Sequence, residues 1–517
     1  MCLKQRFPRA LAVSNTVALT TRSSTPEQEY NRSLSDSTVV TIPNRTNSLL
    51  RGLDLILDHH RASLEVRRCL HDQVRSYLDS SLNEVVWVKN AKWILAYPLA
   101  KYLRNAIPSL PPAGAFAPTG PLRAWMRQRL VSFCRRNTHL WYSWFQAKRS
   151  CLPASDEFIE DVYRDHFTSL SCDDPGVSLT IDKIFSDPTF QSVLDKVAED
   201  LSRPMSRHYL DFSASSSASF ESTRATGGQH GELRRLSGIS PLAGTELSRM
   251  AWFPVVHCSR RLTNVSWEFS RPEGEEHWFL LHYCRHILPM PLNCTIQGVI
   301  EPLKVRVISK GESLPYYQAR PLQRALHDSL RGMDCFRLIG RPLSPDDALD
   351  LRDSACDTWQ WLSIDYSAAT DGLSWKYSSR ILESVLRYLP ISQQCLARDV
   401  LGPHRLHYPV NGRPVYRGNQ RNGQLMGSVL SFPILCLANL GVYLLNSQGF
   451  TQGWSDQRRL RHVLVNGDDM VYAAPKASFD SHVRISDDVG LKMSVGKAYC
   501  HNEYFNVNST SVHLKIS

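Results

Sequence analysis

Asp365, Asp468 and Asp469 are the side chains of this sequence best suited by type and setting to do chemistry. The last two stand in the run Asn466-Gly467-Asp468-Asp469, between short apolar runs at 462–465 and 470–472. Asn-Gly between β-type residues signals a hairpin. That hairpin would thrust two neighbouring carboxylates out at one tight turn, a costly arrangement unless a divalent cation neutralises it. Asp365 closes another predicted strand, residues 359–364. If the two strands are neighbours, Asp365 and Asp468 meet, and such a pair can bridge two Mg²⁺ ions. One ion would sharpen an attacking hydroxyl and the other would hold a triphosphate and its leaving oxygen. Magnesium keeps few protein ligands, so two or three Asp suffice.

Other segments must position this pair. A helix is expected from near Asp371, with Leu373, Tyr377, Ile381 and Val385 on one face and Pro390 ending it. Asp371 then lies at a helix N-terminus, where a plain N-cap is the alternative to a functional role. The segment Lys304-Val305-Arg306-Val307-Ile308-Ser309-Lys310 alternates basic and apolar residues. As a half-buried strand it presents Lys304, Arg306 and Ser309 or Lys310 to solvent or to an anion such as a triphosphate. Between the acidic sites lies Gly423-Gln424-Leu425-Met426-Gly427-Ser428, followed by an apolar helix from about 432 to 445. Small residues there allow either close approach of a ligand or a tight turn into a buried helix.

The bulk composition narrows the class. The chain has 517 residues, 42% of them apolar, enough for a large core, and a formal net charge of +11. A basic balance favours a polyanionic partner, nucleic acid before membrane. The 13 Cys contain no Cys-x-x-Cys pair, which argues against a zinc ribbon or a disulfide framework and for a reducing compartment. His257, Cys258, His282, Cys284, His286 and Cys294 form a loose cluster whose spacing fits no standard zinc module. No segment reaches the roughly 18 apolar residues of a membrane span. A basic-aromatic block at 123–149 reads either as a stacking surface for single-stranded nucleic acid or as an amphipathic helix pair with its rings in the core. The Ser-rich stretch 211–229 reads as a linker or as a backbone-rich loop against a nucleic-acid strand.

Taken in order, these segments resemble the motifs of viral RNA-dependent RNA polymerases, with wording most similar to the ourmia-like (botourmia-type) plus-strand viruses. Residues 304–312 resemble the basic fingers motif, 365–371 the first palm motif (Asp-x-Ser-x-Ala-Thr-Asp), 423–439 the second and 466–469 the third. Residues 490–497 resemble the fourth and 504–509 the fifth. The resemblance covers roughly residues 300–510. It implies that Asp365 and Asp468 bind Mg²⁺ (or Mn²⁺), that Asp469 is their weaker partner, and that Lys497 protonates the leaving pyrophosphate. It further implies that Asp371 tests the ribose 2′-hydroxyl, and that Lys304, Arg306, Lys310, Gly427, Ser428 and Ser431 bind substrate. The second-motif Asn of many relatives falls at Leu435 here; Asn439, one helical turn later, is kept as the candidate.

The implied fold is α+β: a right hand with a palm built on a small antiparallel sheet, fingers before it, and a short or missing thumb. The expected divisions are a flexible basic N-terminus (1–50), a mostly helical region (51–200), fingers (201–357), a palm (358–510) with a fingers insertion at about 378–421, and the start of a thumb (511–517). Only eight residues follow Ser509, so a thumb on another polypeptide is one expectation. The implied partners are RNA template and product and NTPs. The host cytoplasm is the expected site, with the acid-poor terminus leaving mitochondria open. The alternatives are a reverse transcriptase, against which Asp371 argues, and a non-catalytic RNA-binding remnant, against which the intact aspartates argue. A membrane-associated helical scaffold lacks any span.

Overall fold

The computed structural model describes residues 40–102, 124, 125, 128, 138–203, 215–237, 252–259, 262–269, 291–494 and 497–516. Residues 42–517 form one compact unit. Residues 1–39 of the expected flexible terminus, the proline-rich connection before residue 123, and residues 123, 126, 127 and 129–137 of the basic-aromatic block lie outside the described residues.

The helical region begins at Ile42, ahead of the expected residue 51. Helix α1 (Ile42–His59) buries Leu49, Leu50, Leu53 and Leu57, spaced to fall on one stripe. Helix α2 (Glu84–Tyr102) adds Trp87, Ile94 and Leu95 to the same core. Trp125 and Trp144 are buried there too, and Trp144 Nε1 donates to the Ile94 carbonyl at 3.2 Å. These two rings therefore pack the core and do not form a stacking surface. Helix α3 (Asp156–Ser171), capped by Ser155, buries Tyr163, His166 and Leu170. Helix α4 (Pro188–Ser202) starts on Asp187 with Pro at its first turn and packs into the main core.

The Ser-rich stretch, described from residue 215, is not a linker. Phe220 donates its backbone N–H to Gly311 at 2.9 Å, and Glu221 accepts from the Ser313 backbone and hydroxyl.

Among the described residues, strands β1 (Trp252–Ser259) and β2 (Leu262–Phe269) pair only with each other. Strands β3 (Asn293–Glu301) and β4 (Lys304–Gly311) form the basic hairpin. Leu303 in its turn is buried in the N-terminal helical core, which ties that core to the basic strand. Among the described residues no cluster of three or more His, Cys, Asp or Glu is placed to hold a metal, and Cys294 is an ordinary buried thiol.

Strand β5 (Gln360–Ile364) ends as expected just before Asp365. The helix beyond it differs from expectation. Residues 369–372 make one short turn that contains Asp371, and the chain then leaves the helix. The Ser374 backbone N–H is tied to Val489 at 2.9 Å, and its hydroxyl caps helix α5 (Trp375–Leu386). Asp371 is therefore not an N-cap. Tyr377, Ile381 and Val385 are the buried stripe of α5. Pro390 caps helix α6 (Ile391–Leu401) instead of ending α5.

Residues 378–401, expected within a fingers insertion, send Ile381, Leu382, Val385, Leu386, Leu396 and Leu401 into the main core. Only the hairpin β6 (Arg405–Val410) and β7 (Arg413–Asn419) stands apart. It extends the basic hairpin into a four-stranded sheet, order β4-β3-β6-β7, with β3 and β6 parallel. Helix α7 (Ser431–Ser447) is buried on nearly all sides.

Strands β8 (Val463–Asn466) and β9 (Asp469–Ala474) make the acidic hairpin. After helix α8 (Ser478–Asp488), strand β10 (Tyr499–His501) completes an antiparallel sheet of order β10-β5-β9-β8. Alternation divides its side chains between two cores. Leu362, Ile364, Met470 and Tyr472 face α5 and α7, while Trp361, Leu464, Val471 and Ala473 face the opposite side. Strands β11 (Tyr504–Val507) and β12 (Thr510–His513) cover that second face with Phe505, Val507 and Ile516. Residues 511–516, expected to begin a thumb, complete this hairpin and pack on the sheet. No helix among the described residues is long and apolar enough to cross a membrane.

Candidate active site

The acidic hairpin turns on Gly467-Asp468, because Asn466 and Asp469 still pair across the ladder. Gly467 has φ +69° as the first central residue, the position where a tight hairpin turn takes glycine. Helix α7 holds this turn from beneath. Asn439 Nδ2 donates to the Gly467 carbonyl at 3.1 Å, and the Gly467 N–H donates to Cys436 Sγ at 3.2 Å. The β11–β12 turn braces it from the side, with Asn466 Nδ2 donating to Asn508 Oδ1 at 2.8 Å.

Strand β5 runs antiparallel to β9 with Ile364 opposite Met470, so the chain direction carries Asp365 towards the acidic turn. The carboxylates feel one another. The walls of the cleft desolvate the Asp468 carboxyl and raise its pKa, Asp365 adds to the rise, and Lys497 and Lys304 oppose it. Asp469 is pushed up to about 6, first by burial and then by Asp468 and Asp365. Lys497 Nζ lies 3.0 Å from Asp365 Oδ2 and 3.2 Å from Oδ1.

A cavity of about 490 Å³ opens beside this group. Lys304, Arg306, Asp371, Ser428, Ser431, Asp468 and Lys497 line it. Burial lowers the pKa of Lys304, as do Arg306 and Lys497. Arg306 is partnered by Glu301 at 3.1 Å. Ala368, with φ +49°, turns the chain so that Thr370 and Asp371 reach the cavity. Burial raises Asp371 to about 6, against the pull of Thr370 and Lys304.

Gly427 does not line the cavity. A Cβ on it would sit 1.9 Å from the Ser309 carbonyl oxygen, so its backbone is the seat of strand β4. Lys310 lies further along that strand, outside the cavity lining. Ser428 Oγ donates to the Val400 carbonyl at 2.7 Å, and Ser431 Oγ to Gln424 Oε1 at 2.7 Å. Asn439 corrects the expectation of a substrate contact: it is fully buried, accepting from the Tyr366 hydroxyl at 3.0 Å while donating to Gly467. Leu435 lines the cavity in its place.

Sequence reasoning missed His166. Its Nε2 lies 3.8 Å from Asp371 Oδ1 and it lines the same cavity. The available signal was its place on the buried stripe of α3 with Tyr163 and Leu170. Lys92 of α2 was also missed; it lies within electrostatic reach of Lys304 and Lys497.

The fold and the site define an α+β protein in which an acidic turn faces a basic strand across one cavity, an arrangement suited to a polyphosphate. Over 241 residues the chain is 35% identical to the RNA-dependent RNA polymerase of Ourmia melon virus (isolate Melon/Iran/VE9), a match covering 43% of this chain and 28% of that protein. The resemblance carried by the motifs thus extends to a curated relative of the ourmia group, of which the match spans under a third. No family model matches the chain. Two solved structures of the RNA-dependent RNA polymerase of a human picorbirnavirus are similar at TM-score 0.46. The intact enzyme is 14% identical, with 76% of this chain and 68% of that chain covered. Its insertion-loop deletion mutant is 13% identical, with 76% and 70% covered.

Proposed function

We propose that this chain is an RNA-directed RNA polymerase that copies a viral plus-strand genome from NTPs. The observation that carries the reading is one cavity lined by Asp468, Lys497, Lys304 and Arg306, with Asp365 held at its edge by the ion pair to Lys497. The likeness to the Ourmia melon virus protein supports it. In this reading the sheet β10-β5-β9-β8 is the palm, and the basic hairpin belongs to the fingers.

The described residues hold no cluster of three acidic, His or Cys side chains, so Mg²⁺, or Mn²⁺ in its place, would rest on the pair Asp365 and Asp468 and on the substrate. Burial first and the neighbouring carboxylates second raise the pKa of Asp468 and Asp469, and Lys497 and Lys304 offset this only in part. One or two carboxylates plus substrate phosphates satisfy magnesium. Asp365 and Asp468 would hold the metal, with Asp469 as the weaker partner. When bound, it supplies charge neutralisation at the attacking and leaving oxygens. The chain's own groups do the rest. Lys304 and Arg306 hold the triphosphate. Asp371 faces the sugar. The RNA 3′-hydroxyl loses its proton to water and attacks the α-phosphorus, a P–O bond forms as the bond to pyrophosphate breaks, and Lys497 gives its proton to the departing pyrophosphate. The template sets the base by pairing. Template and product RNA are the partners, and the host cytoplasm is the proposed setting.

Primer extension on an RNA template by wild type and by Asp468→Ala tests this reading. Template-dependent NTP incorporation should vanish in the variant, and equal incorporation by the two proteins overturns the assignment.

A further inference from the structure

His166 and Asp371 come from positions far apart in the chain and meet at the cavity wall. His166 is nearly fully buried. Its Nδ1 lies 2.7 Å from the Tyr408 hydroxyl. Tyr408, on β6, is fixed edge-on by the rings of Tyr163 and Phe167. Donating to Nδ1 satisfies the phenol proton and makes Nδ1 the acceptor. The proton of the neutral imidazole then sits on Nε2, facing Asp371. Burial keeps the ring neutral, with its pKa lowered to about 4.

The 3.8 Å between Nε2 and Asp371 Oδ1 is too long for a direct hydrogen bond. It is short enough for one hydroxyl to accept from Nε2–H and donate to the carboxylate. The hydroxyls of Ser428 and Ser431 donate elsewhere, to Val400 and Gln424, while the Thr370 hydroxyl donates to Asp371 Oδ1 at 3.2 Å and leaves Nε2–H unserved. Helix α7 offers no amide beside Asp371, since Leu435 faces the cavity and Asn439 is engaged by Tyr366 and Gly467.

We propose that His166 and Asp371 form a donor–acceptor pair that recognises a ribose hydroxyl of the incoming nucleotide, with His166 as the specificity-determining donor. This rests on the nucleotide reading of the cavity. A hydroxyl both donates and accepts, and a deoxy carbon does neither. The deoxy analogue leaves Nε2–H without an acceptor and the Asp371 carboxylate with the Thr370 hydroxyl alone, 3.2 Å from Oδ1, and a polar site rejects an analogue that strands its groups.

The test is equilibrium binding of ATP and of 2′-deoxy-ATP to the full chain with Mg²⁺, run beside primer extension. Wild type should prefer ATP. His166→Phe should lower that preference about tenfold or more by weakening ATP alone. His166→Gln, which retains an N–H donor, should keep most of it. Tyr408→Phe preserves the ring packing but frees the imidazole to change tautomer, and should show an intermediate loss. It carries the test should His166→Phe fail a thermal-unfolding check. The proposal is overturned if wild type binds both nucleotides equally, if the folded variants keep the wild-type preference, or if they weaken both nucleotides alike. A His166-dependent preference for ATP in a protein that extends no primer supports the hydroxyl pair and overturns the polymerase reading.

Discussion

Asn439 donates to the backbone carbonyl of Gly467 at 3.1 Å, so the helix behind the acidic hairpin is bonded to the turn that presents Asp468. The same amide oxygen accepts from Tyr366, the residue after Asp365, at 3.0 Å. One buried side chain thus sets the spacing between the ends of β5 and β8. Asn439→Leu leaves the Gly467 carbonyl unsatisfied in the core and Tyr366 with His482 as its remaining partner. It should cost on the order of 1–3 kcal/mol of stability in urea unfolding. The nucleotide incorporation rate should fall, while the preference of ATP over its deoxy analogue stays as in wild type. A changed preference would return Asn439 to the substrate.

Lys497 is well exposed, and its bond to Asp365 is a surface ion pair that contributes about 0–1 kcal/mol. Lys497→Ala should therefore leave the thermal midpoint nearly unmoved. If the lysine donates the proton to pyrophosphate, the single-turnover incorporation rate should drop about a hundredfold. Equal rates in wild type and variant would reduce Lys497 to a structural ion pair.

What the sequence carried was local. The end of β5, the basic strand, the apolar helix and the acidic hairpin each follow from periodicity and turn residues within about ten positions. The Asn-Gly signal marks the hairpin, and the Asn466–Asp469 pair extends its ladder so that the turn centres on Gly467-Asp468. Asn439 was misplaced for a physical reason. Its spacing from Leu435 puts both on one face of an isolated helix, but α7 is buried nearly all round and so has no single solvent face from which function could be inferred. His166 meets Asp371 only because α3 packs beside the short turn at 369–372, and no local pattern records that contact.

Gly427 is where the second-motif loop bears on the basic strand. Gly427→Ala would drive a Cβ into the backbone of Ser309, which cannot swing aside as a flexible side chain can. The strand has to shift, and Lys304 and Arg306 shift with it. We expect a destabilisation of about 1–3 kcal/mol from overpacking. The KM for NTP should rise at least severalfold, with a smaller change in kcat. An unchanged KM in a folded variant would separate Gly427 from the placement of the two cations.

Asp469 gives the site a pH signature. Its folded pKa, raised to about 6 by burial and by Asp468 and Asp365, lies above the roughly 4 of an unfolded aspartate. A carboxyl raised in this way binds its proton more tightly when folded. Its stabilising contribution is therefore complete below about pH 4 and is lost as pH rises through about 6. Above that window the ionised carboxylates repel one another, and a dication bound among them should restore stability. Thermal unfolding should then show a larger Mg²⁺-induced rise in midpoint at pH 7.5 than at pH 5, and Asp365→Asn together with Asp468→Asn should abolish it. A rise of equal size at both pH values, or one that persists in the double variant, would place the magnesium elsewhere on the protein and detach the acidic hairpin from metal binding.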